Sequence, residues 1–383
     1  MSTYTGPITD VDVHHRVRAD GEIIEYLPEF ARRLVTSNPH GHYDLQPPNI
    51  LASAAFRNGA RRADAYGSEG GIPGWNYDQL RTQLLDRYPY YRAVLTHDLG
   101  EFGMNLNPDL AAAVCSAAND WTIDRWLSRD ERLRGLVVCP LAVPERAAAE
   151  IRRVGTHAQM DGVLLVGSPL GRPLGDPVYH PVYEAAAELG LTLANHQATS
   201  GRPKVTARTT PSPLTTLAET ITMHSQEAAT ITSSFIVNGV FEKFPDLKLV
   251  IIEYGVAWIP SLLWRLDQFN DLYRLESPWV KKWPSEYVRE SIKFSTQPIE
   301  TGKTPHEVAD FLRSVDGIED LLCFSTDYPH MSFDDPLYVA RHLPQEWLRK
   351  VFCDNACASF GWAPPPADLQ LAPKAPAPAG ARS

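Results

Sequence analysis

Short apolar runs that end on polar residues recur along this chain, with helix-length stretches between most of them. The first covers residues 8–16, I-T-D-V-D-V-H-H-R, where Ile8, Asp10, Asp12 and His14 alternate with Thr9, Val11 and Val13 at the period of a strand. Seven more follow, at 91–97, 134–140, 162–166, 190–196, 247–253, 291–297 and 321–327. Apolar positions at three-and-four spacing predict helices over 109–128, 144–159, 181–189, 225–244 and 259–273. Most of the runs are rich in Val, Ile and Leu, as expected of parallel strands covered on both faces.

Alternating strands and helices fit either a doubly wound open sheet or a barrel. Eight strands with polar residues at their C-terminal ends favour the (β/α)8 TIM barrel, whose active site lies at those ends. The barrel domain is expected over 1–363. A helical insertion after the first strand, about 18–90 with a short helix near 76–88, would cover one end. The glycine-rich stretch 67–74 has neither a strand before it nor Lys-Ser/Thr after it, and reads as a loop. The Ala/Pro-rich segment 364–383 is expected to be a disordered tail.

Composition narrows the class. The chain has 383 residues, 44% of them hydrophobic, enough for one large core. Its net charge of −10 offers no nucleic-acid surface, and short basic runs such as Arg61–Arg62 read as solvated faces. Five cysteines without C-x-x-C spacing suggest free thiols of a reducing cytosol. No signal-peptide pattern and no apolar run of membrane-spanning length is evident, so the expectation is a cytoplasmic protein without a membrane partner.

The chemistry gathers at the run ends. Asp12 and His14, two apart, point the same way from a strand. In a barrel, strands one, five and eight would bring Asp12, His14, His196 and Asp327 to one mouth. Two imidazoles and two carboxylates form a mixed N/O donor set that suits Zn²⁺, with Mn²⁺ the alternative. Each residue alone has an ordinary structural account: a core histidine for His196, a turn aspartate for Asp327.

Several pieces together resemble the amidohydrolase-related superfamily, in the branch of aminocarboxymuconate-semialdehyde and hydroxybenzoate decarboxylases. They are D-V-D-V-H at 10–14, P-L-G-D-P-V-Y at 173–179, His196, G-V-F-E-K-F-P-D-L-K-L-V-I-I-E-Y-G-V-A-W-I-P at 239–260, T-Q-P at 296–298 and F-S-T-D-Y-P-H at 324–330. The resemblance implies a (β/α)8 barrel, often a homodimer, with one divalent ion and a small-molecule substrate. The family's usual first-strand motif is D-x-H-x-H. Here Arg16 stands where the second histidine would be, so Asp12 with His14 resembles the E-x-H variant, and His15 is a reserve ligand only if the strand bulges. His196 and Asp327 match the strand-five and strand-eight ligands. Much of the family ends strand six with a histidine. Here the position is Glu253, and His224 in T-M-H-S-Q matches an upstream histidine at the start of the preceding helix. Glu253 and His224 are the expected acid/base pair, with Arg16 as a carboxylate clamp. His330 would line the pocket or orient Asp327, and Trp258 and Tyr254 would form an aromatic wall.

The implied activity is metal-dependent decarboxylation of a small aromatic or enolisable acid. A hydrolase of an amide, lactone or ring-cleavage product, with Asp327 as general base, is the alternative. A metal-free binding protein is a third reading.

Overall fold

In a computed structural model, residues 4–36, 61–67, 70–104, 107–197 and 217–366 are described. The expected tail beyond residue 366, the middle of the insertion and the segment 198–216 lie outside them. Eight parallel strands pair in strict sequence order: β1 (Ile8–His15), β2 (Tyr90–His97), β3 (Leu133–Val138), β4 (Met160–Val166), β5 (Thr192–His196), β6 (Leu249–Ile252), β7 (Ile292–Ser295) and β8 (Leu322–Cys323). The ring closes where Val13 bridges Tyr328 and the Val11 N–H donates to the Phe324 carbonyl at 3.1 Å. This is the (β/α)8 barrel expected from the alternation.

Two apolar layers follow from the pleat, whose side chains alternate across each strand. Val94, Leu136, Val138, Leu164, Val166, Ala194, Val250 and Ile252 fill the barrel interior. Leu95, Val137, Leu165, Leu193, Ile251 and Phe294 point outward and pack under the surrounding helices. Phe360, stacked on Trp362 at 4.7 Å, plugs the N-terminal end. The C-terminal end is thereby left for polar side chains.

Four expectations need correction. The helix expected over 225–244 is two, Leu217–Val237 and Val240–Lys243, separated at Gly239, whose φ of 70° breaks the helix. His224 therefore lies inside a long helix and not at its start. The helix expected over 259–273 is interrupted at Phe269. The one near 76–88 is a single turn, Tyr77–Leu80, followed by a π turn, Arg81–Leu85. The eighth strand pairs only over two residues, and F-S-T-D continues past the ladder into the mouth.

β1 also departs from simple alternation. Its register against β2 slips between Asp10 and Val13, the signature of a bulge. Val11 joins the interior cluster while Val13 joins the outer one. Beyond the bulge Asp12 and His14 both face the interior, and His15 faces out.

Candidate active site at the barrel mouth

Four strand ends deliver one cluster. The His14 Nε2 lies 3.5 Å from Asp12 Oδ1, 3.3 Å from Asp327 Oδ1 and 3.2 Å from His196 Nε2. The His196 Nε2 lies 3.6 Å from Asp12 Oδ2 and 2.9 Å from Glu253 Oε2. Asp12 and Asp327 are fully buried, and His14 and His196 nearly so. Asp12, His14, His196 and Glu253 can each offer one ligand atom such that all four lie within 4.8 Å of one another, as can His14, Asp327 and His330.

The hydrogen bonds behind the cluster fix its tautomers. The His14 Nδ1–H donates to the Asp98 carboxylate at 3.3 Å, and the His196 Nδ1–H to the Gln197 carbonyl at 2.7 Å. Both neutral rings therefore aim an Nε2 lone pair at the same point. Asp12 Oδ2 is buried there without a hydrogen-bond donor. Neutral imidazoles and carboxylates so arranged form a set of acceptors with no donor, an arrangement that only cations satisfy. With no metal supplied, protons take that part. Burial opposes charge on both rings, but the Asp12 carboxylate outweighs it, holding His14 well above its ordinary pKa and pushing His196 up to about 10. Adjacent ligands on one ion with bonds of about 2.1 Å sit roughly 3 to 3.4 Å apart, close to the separations found here. The donor set fits a divalent metal ion.

A match to the amidohydrolase family model runs over residues 11–362. The chain belongs to the amidohydrolase family. It is similar to a γ-resorcylate decarboxylase of Rhodococcus jostii (strain RHA1), 26% identical over 53% of this chain and 66%, just under two thirds, of that enzyme. In fold it is similar to an amidohydrolase from Mycobacterium avium subsp. paratuberculosis K-10, with a TM-score of 0.68 and 20% identity over 94% of this chain and 100% of that one. A dihydroxybenzoic acid decarboxylase from Polaromonas sp. JS666, solved with bound manganese and the inhibitor 2-nitroresorcinol, superposes with a TM-score of 0.61 at 17% identity, over 93% of this chain and 97% of that one.

This amidohydrolase shapes its mouth with two strained residues. Glu253 (φ 68°) and Asp327 (φ 58°) are the two non-glycine residues with positive φ among those described. Such a conformation costs about 1–3 kcal/mol and persists only where surroundings impose it. The Ser295 Oγ accepts from the Glu253 N–H at 3.0 Å, and the Asp12 carbonyl accepts from the Asp327 N–H at 3.1 Å. Asp327 Oδ2 accepts from Ser332 Oγ at 2.6 Å and Gln297 Nε2 at 3.1 Å, and its Oδ1 pairs with His330 Nδ1. His330 also stacks edge-on against His14, with ring centroids 4.2 Å apart.

The other expected residues surround the cluster without joining it. His15 donates or accepts at Thr122 Oγ1, 2.9 Å away, and packs on Trp121 outside the barrel. Arg16 is buried with its Nη1 3.3 Å from Asp98 Oδ2. Trp258 packs edge-on against Phe294 and donates to the Gly255 carbonyl, so it lies beneath a helix. Tyr254 is buried, its ring 6.4 Å from that of His224.

Three residues of the site were not legible as such. Asp98 follows the β2 run by one residue and binds His14, Arg16 and Arg61 together. Arg61, expected on a solvated face, has a side chain only 3% exposed, with Nη2 on Asp98 at 2.5 Å. Its Nε and Nη1 are buried without hydrogen-bond partners. Glu227 lies one turn beyond His224, and burial pushes its pKa up to about 7. The H-x-x-E spacing of His224 and Glu227, which puts both on one helix face, was the available signal.

Proposed function

We propose that this protein is a metal-dependent carboxy-lyase that removes CO₂ from a small aromatic carboxylic acid of the hydroxybenzoate type. The observation that carries the proposal is the pair of Nε2 lone pairs converging with buried carboxylates at the mouth of an amidohydrolase barrel whose relatives are decarboxylases. Asp12, His14, His196 and Asp327 would hold one divalent ion, Zn²⁺ or, given the oxygen-rich donors, Mn²⁺. Such an ion supplies electrostatic stabilisation to the carboxylate and to the negative charge that develops on the ring.

The chain's own residues do the rest. Arg61 is a buried cation whose Nε and Nη1 have no hydrogen-bond partner, and either can donate to a carboxylate. Asp98 holds Arg61 in place through Nη2 and pairs with Arg16 at the same oxygen. Decarboxylation breaks the bond between ring carbon and carboxylate, leaves the electron pair on carbon and consumes one proton. His224 has a buried Nε2 without a partner, and burial lowers its pKa, so it relays protons and does not store them. Glu227, with a pKa near 7, is the store that refills it. The electrostatic neighbours of the pair, His196 and Glu253, sit at the ends of β5 and β6, on the cluster side.

The test is CO₂ release from γ-resorcylate and related hydroxybenzoates by enzyme loaded with Mn²⁺ or Zn²⁺. Stoichiometric CO₂ and the decarboxylated phenol are expected. Hydrolysis of a lactone or amide panel without CO₂ from any acid would replace the lyase with the hydrolase, in which Asp327, paired to His330, would act as the base.

A further inference from the structure

Glu253 directly follows β6, at the position where the sequence resemblance leads to the expectation of a histidine. As an acid/base group, Glu253 would need a carboxyl group turned toward substrate. The structure turns it onto the ring nitrogen of His196. Its Oε2 is 2.9 Å from His196 Nε2, nearer than either Asp12 or His14 comes to that nitrogen, on the side where His196 carries its lone pair. A neutral His196 donates no proton from that nitrogen, so the carboxylate and the ring face each other as two acceptors. The contact is favourable only with a positive charge between them, a proton in the metal-free protein or a metal ion that takes its place.

The surrounding chain enforces the approach. Glu253 stands at φ 68°, and its N–H is tied to Ser295 Oγ on β7. Gln197, next in sequence to His196, donates from Nε2 to Glu253 Oε2 at 3.1 Å. That is the kind of outer hydrogen bond that orients a ligating carboxylate. By contrast, Asp327 already receives hydrogen bonds from Ser332, Gln297 and His330. Glu253 also belongs to the four-residue group whose ligand atoms all fall within 4.8 Å of one another, while Asp327 falls in the adjoining group through His14.

Resting on the metal-centre reading above, we infer that Glu253 is a direct ligand of the divalent ion, joining Asp12, His14, His196 and Asp327, and not the proton donor of the reaction. Five protein donors, three carboxylate oxygens and two imidazole nitrogens, leave one position of an octahedron for substrate. Proton delivery then falls to His224, refilled by Glu227.

The test titrates metal-free, full-length protein with Mn²⁺ and follows free Mn²⁺ by its electron paramagnetic resonance signal. The wild type, Glu253→Gln and His224→Asn are compared. The wild type is expected to bind one Mn²⁺, Glu253→Gln to bind it at least about tenfold more weakly, and His224→Asn to bind it like the wild type. Wild-type affinity in Glu253→Gln overturns the inference and returns Glu253 to acid/base work. If the glutamine variant does not fold, Glu253→Asp replaces it. Its shorter arm withdraws the oxygen from His196, so affinity should also fall, and unchanged affinity again overturns the inference. Failure of the wild type to bind Mn²⁺ or Zn²⁺ sinks the metal centre itself, a result distinct from wild-type affinity in the variant.

Discussion

At the scale of single residues, burial decides what a charged group does here. Arg61 keeps a full charge while most of its side chain is removed from water, and one carboxylate, Asp98, offsets it. The two unpaired N–H groups make it a receptor for a second carboxylate. Arg61→Gln should therefore raise KM for an acid substrate by about tenfold or more, with a smaller effect on kcat, because hydrogen bonds to charged groups contribute roughly 1.5–3 kcal/mol. Steady-state kinetics check it, and an unchanged KM would remove Arg61 from the substrate site. Asp334 shows the opposite balance. Burial, aided by the Asp327 and Glu300 charges and opposed by the Ile299 N–H, raises its pKa to about 8. In the unfolded chain it titrates near 4. The fold thus binds a proton that the unfolded chain releases between those values, and stability from this group is full below about pH 4 and declines as pH rises toward 8. Asp334→Asn keeps the acceptor for Ile299 and removes the charge. It should gain stability over the wild type of up to about 5 kcal/mol by pH 8, and little at pH 4. Denaturant melts at the two pH values decide; an equal shift at both would refute the assignment.

Elements set the angles at which these residues meet. The β1 bulge puts Val11 on the same inner face as Asp12 and His14, and no sequence pattern announced it: the alternation of 8–14 ran on unbroken. The strand ends were readable because run after run closed on a polar residue, and a barrel collects those ends at one mouth. Arg61 and Asp98 escaped for a shared reason. Each acquires its role from contacts across the fold, 37 residues apart in the case of Arg61 and Asp98, and neither periodicity nor spacing reports such contacts. His224 was legible as a residue but misplaced in its element, because the helix begins at Leu217 and not near 225. The turn after β6 carries the next prediction. Glu300 Oε2 accepts from the N–H groups of Val256 (2.8 Å) and Ala257 (3.2 Å), pinning the chain just past Glu253. Gly255, at φ 68°, leaves room for that carboxylate, since a Cβ there would lie 2.3 Å from Glu300 Oε1. Glu300→Ala should cost about 1–3 kcal/mol in stability and weaken Mn²⁺ binding by releasing Glu253. Glu300→Gln, which keeps an acceptor oxygen, should recover most of both. Thermal melts and Mn²⁺ titration on the two variants test this, and an alanine variant with wild-type affinity would show that the turn holds without the clamp.

For the whole molecule, the mouth is the least self-sufficient part of an otherwise well-filled barrel. Its lower interior is apolar and plugged at the N-terminal end, while its upper end gathers the carboxylates of Asp12, Asp327 and Glu253 around two imidazoles. Without metal, that charge is balanced by protonating His14 and His196, whose Nε2 atoms then confront each other as donors 3.2 Å apart. A divalent ion replaces both protons and satisfies the Asp12 oxygen that has no donor. Because the unfolded chain offers no such site, binding energy becomes folding energy. At a free Mn²⁺ concentration about 100 times Kd the gain is about 2.7 kcal/mol. For a chain of this length that corresponds to a rise in Tm of about 3 °C. Protein stripped by a chelator and dialysed should melt at the lower temperature, and Tm should climb with the logarithm of added Mn²⁺. His196→Ala should abolish the climb, having lost a nitrogen at the centre of the cluster. A Tm indifferent to metal in the wild type would mean that the cluster is stable on protons alone, and the metal centre would have to be given up.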